Sequence, residues 1–343
     1  MSDAPAQTQV PPQRVMMQML FGKQLTASLA ALAHLGVADH MGDGTTPVED
    51  LAGKVGAKAD PLYRVMRMLA SLGVFREGPE RSFALTPVGA LLKTEVPGSM
   101  RHMAMMLGDE WAIRGYAHMA DCLRSGGDGI TMAYGKPIFE LFAERPEQAE
   151  TFHRAMTGNS VIAAQSILGT YDFGGIGRLA DVGGGHGLLI TSILQRYPDM
   201  QGVLFDLPEV VAGVPEESIA ACGGRLHIEG GSFFERVPQG CDAYLLKHII
   251  HDWSDERCGT ILRLVRAQLP KDGRLLVCEQ VLPVDPGPSP TKMLDIEMLV
   301  MTIGGRERTP REFGELFASA GLKLGRVVTT PTPISVIEAF PET

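Results

Sequence analysis

The run Asp181, Val182, Gly183, Gly184, Gly185, His186, Gly187 constrains this chain more than any other part of it. It closes a short apolar stretch that begins at Leu179 and opens a helical pattern from Leu188 to Arg196, so a strand must turn into a helix here. Glycines at alternate positions leave the backbone bare, as a flat polar ligand lying on it would require. The spacing is not the GxGxxG of nicotinamide-binding turns, and the acidic Asp181 precedes the glycines. A carboxylate at that point repels a pyrophosphate and suits a ligand with an ammonium group. Asp206 ends the next apolar stretch, 25 positions on, where an acid can accept both hydroxyls of a ribose. The two together imply a nucleoside carrying an amino-acid tail.

Around this turn, short apolar stretches alternate with helical patterns: Leu179 to Val182, Val203 to Asp206, Leu226 to Glu229, Asp242 to Lys247 and Gly273 to Glu279. That texture predicts a parallel, doubly wound α/β sheet. Two further stretches, Leu322 to Val328 and Ile334 to Phe340, face each other across Thr329 to Pro333 with no helix between them, and so form an antiparallel pair at the end of a seven-stranded, Rossmann-like domain. The first hundred residues read differently. Met16, Met19, Leu20, Leu25, Leu29, Leu32 and Leu35 are spaced as one long helix ending near Gly36. Thr46 and Pro47 look like a capped helix start, Asp60 and Pro61 open another helix, and Phe75 to Leu85 is a hairpin around Gly78 and Pro79, the outline of a winged helix. The expected division is a winged-helix-like domain over 14–105, a connecting helical layer over 106–165, broken at Gly126 to Gly129, and the α/β domain over 166–343.

Winged helices commonly read DNA, so charge decides what this one does. Residues 20–100 hold eight basic and eight acidic side chains, and the whole chain carries a net charge of -9, which leaves little counterion release to gain from nucleic acid. A ligand-sensing regulator would need a basic recognition helix, and only Arg64 and Arg67 are candidates. Self-association through the apolar face of the first helix is the better reading. Five widely spaced cysteines without a CxxC pair fit neither a disulfide framework nor a zinc site, and no metal is expected. The polar, Pro-rich residues 1–13 lack the order of a signal peptide, and no apolar run reaches 18 residues. The expectation is a cytoplasmic protein that engages no membrane.

Asp181 to Gly187, Phe205 to Pro208, Gly231 to Phe234, Leu246 to Asp255 and Gly304 to Thr309 together resemble the plant caffeic acid and flavonoid O-methyltransferases and their bacterial relatives that tailor aromatic antibiotics. The resemblance runs from the winged helix, which it makes a homodimerisation domain, to about residue 340. It implies S-adenosylmethionine as cofactor and S-adenosylhomocysteine as product. Asp181, Gly183 and Gly185 would line the methionine part, Ser160 would reach its carboxylate, Asp206 would take the ribose, and Phe233 and Lys247 the adenine side. Where the family often has an Asp, this chain has Ser232, a weaker acceptor for the adenine amino group.

A phenol with a pKa of about 10 is mostly protonated at neutral pH, so methylating one needs a base, and histidine, at about 6.5, is suited to the task. His251 follows the Asp242 to Lys247 strand and stands where the family's base stands; Glu279 and Glu307 match the two acids that flank it and are expected to hold its imidazole. By the same resemblance Phe152, Met156, His248, Asp252, Asp295 and Met298 line the pocket of an aromatic or polyketide-like acceptor. Because plant enzymes often have an aromatic residue in place of His248, their substrates do not transfer to this chain. N- or C-methylation, or hydroxylation and decarboxylation around a bound cofactor, are the alternatives on the same fold, and keeping His251, Glu279 and Glu307 together argues against the non-methylating ones.

Overall fold

In the computed structural model, which describes residues 11–342, the chain folds as two units. The first comprises residues up to Ile113 with Pro146–Gly158, and the second comprises Arg114–Arg145 with the chain from Asn159 onward.

The first unit opens with helices Pro12–Leu20 and Gly22–Leu35. The single helix expected here is interrupted at Phe21, whose N–H bonds back to the carbonyls of Met17 and Met19, and Gly22 then starts the second segment. Glycine, the poorest ordinary helix former, gives the break its place. Gly36, at φ 66°, ends the second helix as expected, in the left-handed conformation that only glycine adopts without cost. None of Pro12–Leu20 is buried, and Met16, Met19, Leu20 and Phe21 are all exposed. Helices Val48–Val55 and Ala59–Ala70 bury Val48, Leu51, Leu62, Met66 and Leu69 against Phe75 and Phe83. Thr46 does not cap the first of these. Thr46–Pro47 is instead a short strand, β1, which pairs with Ser82–Leu85 (β3), itself paired antiparallel to Phe75–Gly78 (β2), and the helix start is met by the Val48 N–H donating to the Arg81 carbonyl. Two helices followed by this hairpin make the winged helix.

In the second unit seven strands form one sheet: β4 (Arg178–Val182), β5 (Gln201–Asp206), β6 (Leu226–Gly230), β7 (Ala243–Lys247), β8 (Arg274–Gln280), β9 (Leu322–Thr329) and β10 (Ile334–Pro341), in the order β6-β5-β4-β7-β8-β10-β9. The neighbours from β6 to β8 are parallel, whereas β10 runs antiparallel to both β8 and β9. Apolar side chains alternate between two buried faces. Ala180, Val182, Tyr244, Leu246, Leu275 and Val277 pack with Ile261, Leu262, Val265, Phe313 and Phe317, while Leu179, Leu245, Leu276 and Cys278 pack with Ile167, Ile190, Ile193 and Leu194. Burial on both faces is why these strands read as apolar runs. The sheet order reverses between β4 and β7, and the crevice beyond the carboxyl ends of those two strands is where doubly wound sheets hold ligands. Helices Glu110–Ala117, Met119–Ser125, Gly129–Tyr134 and Ile138–Ala143 carry the connecting layer, and Asp128, capping the third of them through the Thr131 N–H at 2.7 Å, explains the break at Gly126 to Gly129. Helix Pro146–Thr170 supplies its first half to one unit and its second half to the other.

Candidate active site

Beyond β4 the chain turns through Gly183, Gly185 and Gly187, with φ of 72°, 58° and 79°. Their reasons differ. A Cβ on Gly183 would lie 2.4 Å from Ile249 Cδ1 and one on Gly187 2.8 Å from Leu204 Cδ2, so these two let the protein close on itself. A Cβ on Gly185 would meet nothing within 4 Å, so it is Gly185 that borders open space. The Gly185 N–H donates to Asp206 Oδ2 at 2.8 Å and the Leu207 N–H to Asp206 Oδ1 at 2.7 Å, fixing the carboxylate at the end of β5 beside the glycine turn. Asp181 is buried, and burial pushes its carboxyl up to about 7 against the pull of Lys247. Burial likewise holds the Lys247 ammonium below its ordinary value, with Asp181 opposing, and Lys247 Nζ donates to Ser160 Oγ at 3.1 Å. Phe233 packs on Phe234 and Trp253, and Ser232 Oγ accepts the N–H of Phe234 at 3.2 Å. These donors and acceptors fit a nucleoside with an amino-acid tail: a fixed acid for hydroxyls, bare backbone at Gly185, aromatic surface, and a buried Asp, Lys and Ser.

Beyond β7 the chain makes a short turn, Ile250–Asp252, before helix Asp255–Gln268, which Ser254 caps. His251 Nδ1 lies 2.7 Å from Glu307 Oε1. With Nδ1–H donating to the carboxylate, Nε2 is left to accept a proton. Nε2 is 3.6 Å from Asp252 Oδ1. Burial alone would depress His251, but Asp252, Glu307 and Glu279 outweigh it and push the imidazole up to about 9. Glu279 does not grip the ring, as expected of it. Its Oε1 accepts the backbone N–H groups of Ile249, Ile250 and His251 at 3.1, 2.6 and 3.2 Å, so it holds the turn that carries the base. The reason is geometric: a turn leaving the end of β7 points its free N–H groups at the end of β8, where Glu279 stands. Burial, with Glu307 beside it, raises the Glu279 carboxyl to about 7, and burial raises Asp252 as well.

His248 sits at φ 54° with its ring stacked on that of His251, centroids 5.3 Å apart, and burial next to Lys247 keeps it well below its ordinary pKa. Asp295 Oδ1 accepts the Glu307 N–H at 2.8 Å, so this expected pocket residue positions the base's holder. Met298 is buried on the same helix, Pro290–Met301. Phe152 and Met156 belong to the first unit's half of helix Pro146–Thr170, half-buried there. Two residues carry more of the site than their sequence suggested. The fully buried Arg308 donates to the carbonyls of Ile250 and Trp253 and to Asp255, and Gly305 lets the Arg306 N–H reach the His251 carbonyl at 2.8 Å, where a Cβ would lie 2.5 Å from that oxygen. The signal for both was the motif Gly304 to Thr309 itself, from which only Glu307 was singled out.

The chain matches the O-methyltransferase domain family over residues 116–323 and the O-methyltransferase dimerisation domain family over residues 17–95. It is 39% identical to a phenazine O-methyltransferase of Lysobacter antibioticus over 333 residues, covering 97% of each chain. It is 35% identical over 328 residues to the 3-amino-4-hydroxybenzoate 4-O-methyltransferase of Streptomyces cremeus, covering 95% of this chain and 89% of that one. Among solved structures, the CalO1 methyltransferase of calicheamicin biosynthesis, in an S-adenosylhomocysteine-bound form, superimposes with a TM-score of 0.87 at 33% identity, covering 97% of this chain and 99% of that one.

Proposed function

The chain belongs to the O-methyltransferase family, an S-adenosylmethionine-dependent enzyme, and from that premise we propose that it methylates a phenolic hydroxyl of an aromatic small molecule with His251 as general base. The observation that carries the proposal is the 2.7 Å contact between His251 Nδ1 and the buried Glu307. S-adenosylmethionine supplies an electrophilic methyl group on a positively charged sulfur. The chain's own residues bind it, orient the acceptor and move one proton. Asp206 takes the ribose, Gly183 and Gly185 line the methionine part, and Phe233 and Ser232 face the adenine. Lys247, expected on the adenine side, is assigned instead to the amino-acid tail with Ser160, because its Nζ donates to Ser160 Oγ beside Asp181.

The proton leaves the phenol for His251 Nε2. An imidazole whose conjugate acid has been raised to about 9 is nearly matched to a phenol at about 10, so the transfer costs far less than to an ordinary histidine at about 6.5. Glu307 orients the ring and stabilises the imidazolium, Glu279 fixes the turn, and Asp252, with His248 and Met298, borders the acceptor. The acceptors named for the two curated relatives, a phenazine and an aminohydroxybenzoate, support an aromatic substrate. The dimerisation domain makes a homodimer the expected assembly, with exposed Met16, Met19 and Leu20 as its apolar contact. All five cysteines are buried free thiols, in keeping with a reducing cytoplasm, and no helix among the described residues is long and apolar enough to cross a membrane.

The test is calorimetric titration with S-adenosylmethionine and S-adenosylhomocysteine, followed by transfer of a labelled methyl group to a panel of phenols. Micromolar binding of both and label on a phenolic oxygen are expected. Failure of folded protein to bind either, or label carried only on nitrogen or carbon, would overturn the reading.

A further inference from the structure

Among the described residues three positions other than glycine have left-handed backbone: Glu80, Arg81 and His248. Glu80 and Arg81 turn the hairpin between β2 and β3, where such angles are ordinary. His248 turns no hairpin. It stands directly after β7, at φ 54°, and β8 pins it on both sides: its own N–H donates to the Cys278 carbonyl at 3.2 Å, and the next N–H, that of Ile249, to Glu279 Oε1 at 3.1 Å. Strain of this kind persists only where the surroundings over-determine it, and it gathers at ligand clamps and active sites.

The imidazole so placed lies on that of the base, with centroids 5.3 Å apart and planes 24° from parallel. Its ring is half-buried, and neither nitrogen hydrogen-bonds to any group among the described residues. An imidazole carries one N–H and one bare nitrogen, and such groups ordinarily find partners once they leave bulk water. Burial, then Lys247 and His251, all hold His248 well below its ordinary pKa, so it stays neutral while the base gains and loses its proton. It is therefore no second base, since a histidine below about 6.5 is poorly matched to a phenol at about 10. Nor does a neutral ring beside the Lys247 ammonium and the His251 imidazolium suit a cationic group. What it can offer is its N–H, to an atom rich in electrons.

We propose that His248 is a specificity-determining residue for the acceptor, donating its ring N–H to a lone-pair atom, a carboxylate or carbonyl oxygen or a ring nitrogen, that stands next to the hydroxyl deprotonated by His251. The proposal rests on the phenol-methylation reading and adds the class of acceptor. In the free molecule such a neighbouring atom takes the hydroxyl's hydrogen bond internally. A donor from His248 competes for that atom and leaves the O–H to His251 Nε2, so two stacked imidazoles serve two adjacent atoms of one aromatic edge. An acceptor without the neighbouring atom leaves the His248 N–H unpaired, and that is the source of the selection.

The experiment uses the full chain with S-adenosylmethionine and pairs of isomers that differ only in whether the hydroxyl adjoins the lone-pair atom: 1- and 2-hydroxyphenazine, 1- and 2-hydroxyanthraquinone, 2- and 4-hydroxybenzoate. In kcat/KM the native protein should prefer the adjacent isomer. His248→Phe keeps a stacked ring and removes both nitrogens, and should cut that preference about 10- to 100-fold. His248→Asn tolerates the left-handed backbone and keeps an N–H donor, so it should retain part of the preference and separate loss of the donor from strain. The rising limb of the pH profile, which belongs to His251, should stay in place in both variants. Equal loss for both members of a pair, a shifted limb with an unchanged preference, or a native protein that favours the distant isomer would make His248 mere packing for the base and overturn the inference, with the methyltransferase reading intact. Protein that binds S-adenosylmethionine yet methylates no phenol at all would instead defeat that reading, and the inference with it.

Discussion

The two halves of the site are built by opposite means. On the cofactor side, the backbone is the machinery: the turn Gly183 to Gly187 leaves open space at Gly185, and the carboxylate of Asp206 is held by N–H groups of the turn and of its own neighbour. On the base side, the backbone is cargo. His251 is placed by buried charges from distant segments, with Glu279 and Glu307 standing 28 and 56 residues away in sequence and Arg308 binding the turn together. A cradle made of backbone fails when a side chain intrudes. A cluster of charges fails when a partner is neutralised.

The sharpest test of that division is His251→Ala. Turnover should fall about 10²- to 10⁴-fold, the usual value of a general base, while affinity for S-adenosylmethionine stays nearly unchanged. Single-turnover kinetics beside calorimetric titration would check it. If both fell in step, the halves would not be separable.

Next come the glycines, which should break the cofactor side by steric means alone. Gly183→Ala puts a methyl group 2.4 Å from Ile249 at a φ of 72°, so overpacking of about 1–3 kcal/mol adds to about 1–2 kcal/mol of left-handed strain. Gly185→Ala bears only the strain, since nothing lies within 4 Å. Thermal unfolding should therefore rank Gly183→Ala well below Gly185→Ala. Titration should show Gly185→Ala losing cofactor affinity out of proportion to its stability. The reverse ranking would mean that Gly185, not Gly183, closes the protein on itself.

The same division governs what could be read from sequence. Asp181, the glycines and Asp206 sit at strand ends a fixed interval apart, and the inner strands β5, β4, β7, β8 and β10 are legible as apolar runs because both faces are buried, whereas the edge strands β6 and β9 are more exposed and mix polar residues in. The use of Thr46 in a strand is hidden from sequence because it depends on a partner: the Arg81 carbonyl takes the amide that a cap at Thr46 would otherwise serve. Glu279 was legible as an acid near the base, but that it holds three amides and not the ring follows only from where β8 ends beside β7. Arg308 escaped notice because an arginine in a charged loop is ordinarily solvated, and nothing local says that this one is fully buried.

Glu307→Gln tests the charge side more finely. His251 must be neutral to accept a proton, and with its pKa raised to about 9, kcat/KM should climb as pH rises toward that value. The amide oxygen of Gln can still accept Nδ1–H, but the negative charge is gone, so burial weighs more and the imidazole pKa falls. The rising limb of the pH profile should therefore move to lower pH, and its plateau should drop because the weaker base is less well matched to a phenol. A limb that stays in place would assign the raised pKa to Asp252 and Glu279 instead.

The smallest effect belongs to the cofactor side, at Ser232. Its hydroxyl caps the local turn by accepting the Phe234 N–H, and a carboxylate two positions before that amide can do the same, so Ser232→Asp should leave the turn intact. What changes is the acceptor offered to the adenine amino group. A charge-assisted bond is roughly twice as strong as a neutral one, and net gains near 1 kcal/mol correspond to affinity tighter by about 2- to 10-fold. Asp206, whose carbonyl accepts the Gly231 N–H, adds repulsion that keeps the gain at the lower end. Titrating S-adenosylhomocysteine against S-inosylhomocysteine, which lacks the amino group, isolates the contact: the substitution should tighten the first and not the second. Equal change for both would place Ser232 away from that edge of the base and leave Phe233 and the glycine turn as the chain's whole grip on the purine.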